Sequence, residues 1–128
     1  MILMSAFFEL RTYKVLPGKM ADWIEFMEKT IIPFQTSKGM IIHGSFTVES
    51  RDEFFVENGD RQMNRLLDKD TYVWIRRFSS EKSKEQLYKD VYESDEWIND
   101  IAPIVSQLID RNSIVVQNLK STELSVMK

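Results

Sequence analysis

Polar and apolar residues alternate near the start of the chain. Across residues 6–13, Glu9, Arg11 and Tyr13 share one parity and Phe8 and Leu10 the other. That is the two-residue period of a strand with one oily and one charged face. Pro17 and Gly18 stop it. The period then lengthens. Over residues 19–32, Met20, Trp23, Ile24, Met27 and Ile31 recur every three or four positions, with Asp22, Glu25, Glu28 and Lys29 between them. This spacing predicts an amphipathic helix. Pro33 predicts a kink or an end near Ile32, and Gly39 closes the element.

Residues 40–49 read as a second strand. Ile42, Phe46 and Val48 share one parity, and His43, Ser45, Thr47 and Glu49 the other. Gly44 inside the run marks a bulge or a close approach. Residues 50–70 are densely charged and contain the turn signal Asn58-Gly59-Asp60 after Phe54, Phe55 and Val56. They predict an elongated hairpin between strands two and three. Residues 71–78, rich in β-branched and aromatic side chains, form the clearest strand. Ser79 or Ser80 caps a helix to about Glu93. Ser94-Asp95-Glu96-Trp97 opens another, which runs to about Asp110 through Pro103. Residues 113–119 read as a final strand.

The order strand, helix, strand, strand, broken helix, strand predicts an α+β, ferredoxin-like split βαβ fold with a four-stranded antiparallel sheet. Helices cover one face of such a sheet. The other face is expected to carry Trp74 and Phe78 with Tyr13 and Tyr72, and to need cover. A second copy supplies it most simply, giving a homodimeric α/β barrel with a cavity inside. One domain is expected over 1–128, with its core at about 6–119, the 50–70 hairpin as an excursion, and 120–128 as a flexible tail.

Composition narrows the function classes. The chain has 128 residues, 29% charged, with a net charge of −3, so no general basic field gathers nucleic acid. There is no cysteine, which excludes disulfides, thiolate metal sites and cysteine nucleophiles. A single histidine makes a metal site a poor expectation, and no cofactor is expected. Met1-Ile2-Leu3-Met4 is apolar, but Glu9 and Arg11 follow too soon for a membrane span. The expected location is the cytoplasm.

Several stretches resemble the NIPSNAP family of the dimeric α/β-barrel superfamily. They are Glu9-Leu10-Arg11-Thr12-Tyr13, Pro17-Gly18-Lys19, Gly39 through Phe46, Tyr72-Val73-Trp74-Ile75-Arg76 and Ser94-Asp95-Glu96-Trp97. The resemblance implies the ferredoxin-like fold and a homodimer. It fixes no reaction, because the wider superfamily includes cofactor-free monooxygenases, haem-degrading enzymes and cyclases.

The candidate site is a polar strand face. Glu9, Arg11 and Tyr13 are expected beside His43, Ser45, Trp74 and Arg76. Two guanidinium groups would hold a carboxylate or enolate, the aromatic rings would stack on a planar body, and His43 or Tyr13 would relay a proton. The alternative is that Glu9 pairs with Arg11 or Arg76 and the charges fill the interior. The resulting expectation is a protein that binds a small anionic or aromatic molecule. Two other readings stay open: a cofactor-free monooxygenase or isomerase, and a non-catalytic interaction module that uses residues 50–70.

Overall fold

The computed structural model describes residues 5–48, 55–58, 61–64 and 69–128, the two short segments by backbone alone. Strand β1 is Phe7–Val15. Helix α1 follows, built of Met20–Phe26, a π-helical turn Met27–Ile31 and Ile32–Ser37. Strand β2 is Ile41–Thr47. Strands β3, Phe55–Asn58, and β4, Arg61–Asn64, pair as a separate antiparallel hairpin. Both lie within residues 50–70, of which Phe54, Gly59 and Asp60 are outside the described residues. Strand β5 is Thr71–Phe78 and helix α2 is Glu81–Tyr92. Helix α3 contains a π-helical turn Trp97–Ile101 and Ala102–Leu108, and β6 is Ile109–Leu119.

The large sheet has the order β2-β5-β1-β6, with every pair antiparallel. With its three helices this is the expected α+β, ferredoxin-like architecture.

Pro33 does not end α1. A proline at 33 cannot donate to the carbonyl of Lys29, and its ring crowds that carbonyl. The wider π turn just before it absorbs the conflict, with the Ile32 amide bonding back to Met27. The same device precedes Pro103, where the Ala102 amide bonds to Trp97. The stop comes at Gly39, with φ +105°. There the Gly39 amide bonds to Thr36 and the Met40 amide to Gln35, the paired bonds of a Schellman ending. Ser80 caps α2 by accepting from the Ser83 amide at 3.0 Å, and Ser94 accepts from the Trp97 amide at 3.2 Å. Both serine caps were legible in the sequence.

The helices pack on the face that carries Glu9, Arg11 and Tyr13 of β1 and Tyr72, Trp74, Arg76 and Phe78 of β5. Trp23, Met27, Ile31 and Phe34 of α1, Val91 of α2, and Ile101 and Val105 of α3 close the core over it. This corrects one expectation. Trp74, Phe78, Tyr13 and Tyr72 do not lie on the bare face but are buried under the helices. Alternation separates two faces without saying which one the helices take. The aromatic face buries more apolar area, and its charges neutralise one another there.

The opposite face carries Leu10, Thr12, Val73, Ile75, Phe46 and Val115. No described helix covers it. The C-terminal segment runs beside part of it, and Ser121, Thr122, Ser125 and Met127 line a cleft there together with Phe8 and Ile75. The Arg77 side chain holds the Lys128 carbonyl at 2.7 Å, and Ser121 donates to the Met127 carbonyl at 2.6 Å. The expected flexible tail thus has defined partners.

Candidate functional site

Strand register sets the site. Glu9 stands opposite Arg76, Arg11 opposite Trp74, and Tyr13 opposite Tyr72. On the other side of β5, Ser45 stands opposite Trp74 and hydrogen-bonds the Tyr72 hydroxyl. Six of the seven predicted residues therefore share the helix-covered face: Glu9, Arg11, Tyr13, Ser45, Trp74 and Arg76.

His43 does not join them. The pairing of β2 with β5 slips between Ile42 and Gly44, the bulge that Gly44 signalled. An extra residue in one strand inverts the parity beyond it. Ile42 and Ser45 thus share a face despite opposite parity, and His43 meets the ring of Phe8 edge-on at 5.1 Å on the far side. That position sets the imidazole on the opposite sheet face from Arg11, Tyr13 and Trp74.

At one end of the face lies a closed ion cluster. Glu9 and Arg76 are both 0% exposed. Arg76 donates to Glu9 from Nη2 at 2.6 Å and from Nε at 3.1 Å. Its Nη1 donates to Gln35 and to the Tyr92 hydroxyl, each at 2.8 Å, and Nη2 also to the Tyr88 hydroxyl at 2.9 Å. The guanidinium lies over the Trp74 ring, 4.6 Å from its centroid. Lys84 approaches the second Glu9 oxygen at 2.8 Å, and Tyr88 donates to the same atom. Burial alone would raise the Glu9 pKa, but Arg76, Lys84 and Tyr88 outweigh it and bring it down to about 2. The pairing alternative holds for Glu9 and Arg76. Lys84, Tyr88, Tyr92 and Gln35 were missed as members; the i, i+4, i+8 spacing of residues 84, 88 and 92 on one helix face was the available signal.

At the other end the face opens into a cavity of about 470 Å³, within the range of small-molecule sites. Arg11, Tyr13 and Trp74 form its floor on the sheet. Trp23, Met27 and Ile31 come from α1, Tyr88 and Tyr92 from α2, and Trp97 and Val105 from α3. Ile109, Arg111 and Ile114 of β6 complete it. No carboxylate is among these lining residues.

Arg11 links the two ends. Its Nε donates to the Tyr13 hydroxyl at 2.8 Å and Nη1 to the Tyr88 hydroxyl at 3.2 Å. Nη1 also lies 3.5 Å from Glu9. Nη2 has no hydrogen-bond partner among the described residues. Burial works against its charge, but the hydroxyls of Tyr13, Tyr92 and Tyr88 more than restore it, so its pKa is raised. Burial also raises Tyr13 and Tyr88 above the ordinary phenol value, against the pull of the arginines. Phenols held neutral by burial do not act as bases near neutral pH. Among the described residues no group of three or more metal-ligating acidic or histidine side chains occurs, and no helix is long and apolar enough to cross a membrane.

The NIPSNAP family model matches residues 8–51. Two solved NIPSNAP family proteins of Agrobacterium tumefaciens share the fold. One has 19% identity and a TM-score of 0.76, covers 99% of this chain and 97% of its own, and is described as of unknown function. The other has 18% identity and a TM-score of 0.73, covering 98% and 93%. A NIPSNAP-like domain protein of Burkholderia xenovorans aligns with 13% identity and a TM-score of 0.74, covering 96% and 90%. No curated protein sequence matches the chain.

Proposed function

We propose, from the premise that the chain carries the NIPSNAP match over residues 8–51 and the fold of NIPSNAP proteins throughout, that it binds a small organic anion in the cavity between sheet and helices. One observation carries this reading. The half-buried guanidinium of Arg11, 14% exposed, makes no hydrogen bond through Nη2 among the described residues and stands at the wall of a largely apolar, aromatic cavity that has two arginines and no carboxylate in its lining. A carboxylate or enolate would take that nitrogen by a charge-assisted bond, and Tyr13, Trp23 and Trp74 would hold a planar body. Ser45, at the strand edge, orients Tyr72, while Glu9 and Arg76 anchor the wall.

Binding is better supported than catalysis. The cavity lining contains no histidine and no carboxylate, and His43 is on the far face. Tyr13 acts in this reading as a hydrogen-bond donor.

The same proposal includes a homodimer. Ile41, Phe46, Val115 and Leu119 are substantially exposed on the sheet face that no described helix covers. A second copy packed there would bury them and close the α/β barrel. Light scattering at micromolar concentration should give twice the chain mass; a monomer removes this part of the reading.

Native mass spectrometry of the full chain, purified gently from its host, tests the ligand. The expected spectrum shows a discrete added mass that is an organic acid, absent from the Arg11→Gln variant. An added mass that survives in Arg11→Gln with equal occupancy overturns the assignment of Arg11.

A further inference from the structure

The last strand leaves regular pairing where it passes the cavity. Between β1 and β6, Thr12 stands opposite Val115 and Lys14 opposite Asp110. Residues 111–114 of β6 therefore face the single residue Tyr13. An excursion of this kind re-aims side chains that a regular strand would send elsewhere. It is pinned at its centre. The Ser113 hydroxyl accepts from the Lys14 amide at 2.8 Å and donates to the Asp110 carbonyl. Both ends of the excursion, Arg111 and Ile114, line the cavity.

Arg111 marks the mouth. It is the one exposed residue among those that line the cavity; the others are buried or half-buried. Its Nη1 reaches the Ser106 hydroxyl at 3.4 Å, and it has no ion pair among the described residues. Arg11 stands deeper, and its counter-charge is shared. Glu9 lies 2.6 Å from Arg76 and 2.8 Å from Lys84, but 3.5 Å from Arg11. One carboxylate thus serves three cations, and none lines the cavity. Arg111 follows Asp110, which stands opposite Lys14. The two arginines are therefore about 7–10 Å apart along the strand direction, with Tyr13 between them.

We infer that the ligand is a dicarboxylate: an apolar or aromatic body whose inner carboxylate meets Arg11 and whose outer carboxylate meets Arg111 at the mouth. This rests on the anion-binding reading and adds a second anchor to it. A second charge is tolerated here for a physical reason. A charge buried without a counter-ion is costly. One at the mouth keeps contact with water and meets a cation that has no other ion pair. The single positive charge of Arg111 matches a carboxylate better than a phosphate, which carries close to two negative charges at neutral pH. Its planar guanidinium also offers the paired donors that a carboxylate accepts. The excursion in β6 acts as a specificity device, since it sets how far from Arg11 the second charge is met.

The test compares 4-(4-carboxybutyl)benzoate with its monoamide at the alkyl end, on the full chain by calorimetry. The two have nearly equal shape and differ by one charge, and the alkyl arm bends to meet the mouth. The diacid should bind about five- to tenfold tighter. Arg111→Gln should remove that preference and leave the affinity of the monoamide little changed. Lys29→Gln, which removes a charge from the exposed face of α1, should leave the preference intact. The Arg111 Nε–H resonance of the 15N-labelled protein, assigned by its loss in Arg111→Gln, should move with the diacid and stay with the monoamide. Equal affinity of diacid and monoamide overturns the dicarboxylate assignment and leaves the anion reading standing. So does a preference that survives Arg111→Gln, or one that Lys29→Gln weakens as much. Failure of both compounds to bind at millimolar concentration overturns the two readings together.

Discussion

Glu9 and Arg11 sit two residues apart on one strand, and Arg76 and Trp74 two apart on its neighbour, all on one sheet face. The two pairs have opposite fates. Around Glu9 and Arg76, both carboxylate oxygens and all three guanidinium nitrogens have partners. Around Arg11 and Trp74 the packing is looser: the Arg11 side chain keeps 14% exposure and lines the cavity. The difference teaches where to look for function on a buried polar face. A closed, fully paired cluster builds the wall, while a charged group left partly open at a cavity is where the proposed ligand would be held.

The largest effect should come from breaking the satisfied end. Glu9→Gln keeps the shape but leaves Arg76 and Lys84 beside a neutral amide. Removing one partner of a buried ion pair costs about 3–5 kcal/mol. The melting temperature should fall by roughly 10–20 °C, read by calorimetry. A loss under about 1 kcal/mol would mean that the cluster is incidental.

Acid should reach the same group without mutation. The Glu9 pKa is lowered from 4.5 to about 2, so the unfolded chain takes up the proton first as pH falls. The stabilisation is therefore complete above pH 4.5 and is lost between about 4.5 and about 2. Its size is on the order of 3 kcal/mol. Urea midpoints between pH 6 and 2 should show the loss in the native protein, and Glu9→Gln should show less of it.

Much of this was legible beforehand, and the failures are instructive. Element order, the two serine caps and the bulge at Gly44 follow from local chemistry that tertiary packing did not override. The seven candidate residues include the Glu9–Arg76 pair and the Arg11–Tyr13–Trp74 floor, because β1 and β5 pair in simple register. His43 was misplaced because parity was carried straight through Gly44, where the bulge inverts it. The covered face was misjudged because charge on a strand suggests solvent, whereas Glu9 and Arg76 cancel under the helices. Pro33 looked like a kink or an end because nothing local announces a π turn.

Intermediate effects sharpen the contrast. Tyr88→Phe removes a hydroxyl that bonds Glu9, Arg76 and Arg11, and should cost about 1–3 kcal/mol in urea unfolding. Arg11→Met should cost about 1 kcal/mol, because Glu9 keeps Arg76 and Lys84. Its effect on ligand should be far larger, at least about tenfold in affinity by calorimetry. Stability and affinity thus separate at neighbouring residues. Equal stability losses for Arg11→Met and Glu9→Gln would erase the distinction between the two ends.

His43→Ala should have the smallest effect. The imidazole is exposed and touches the Phe8 ring on the far face of the sheet. Losing that edge contact should change stability by about 0.5 kcal/mol or less. It should leave anion affinity unchanged, since the sheet stands between His43 and the cavity. A tenfold change in affinity on His43→Ala would place the ligand on the other face of the sheet, and the closed and open ends would then both be architecture.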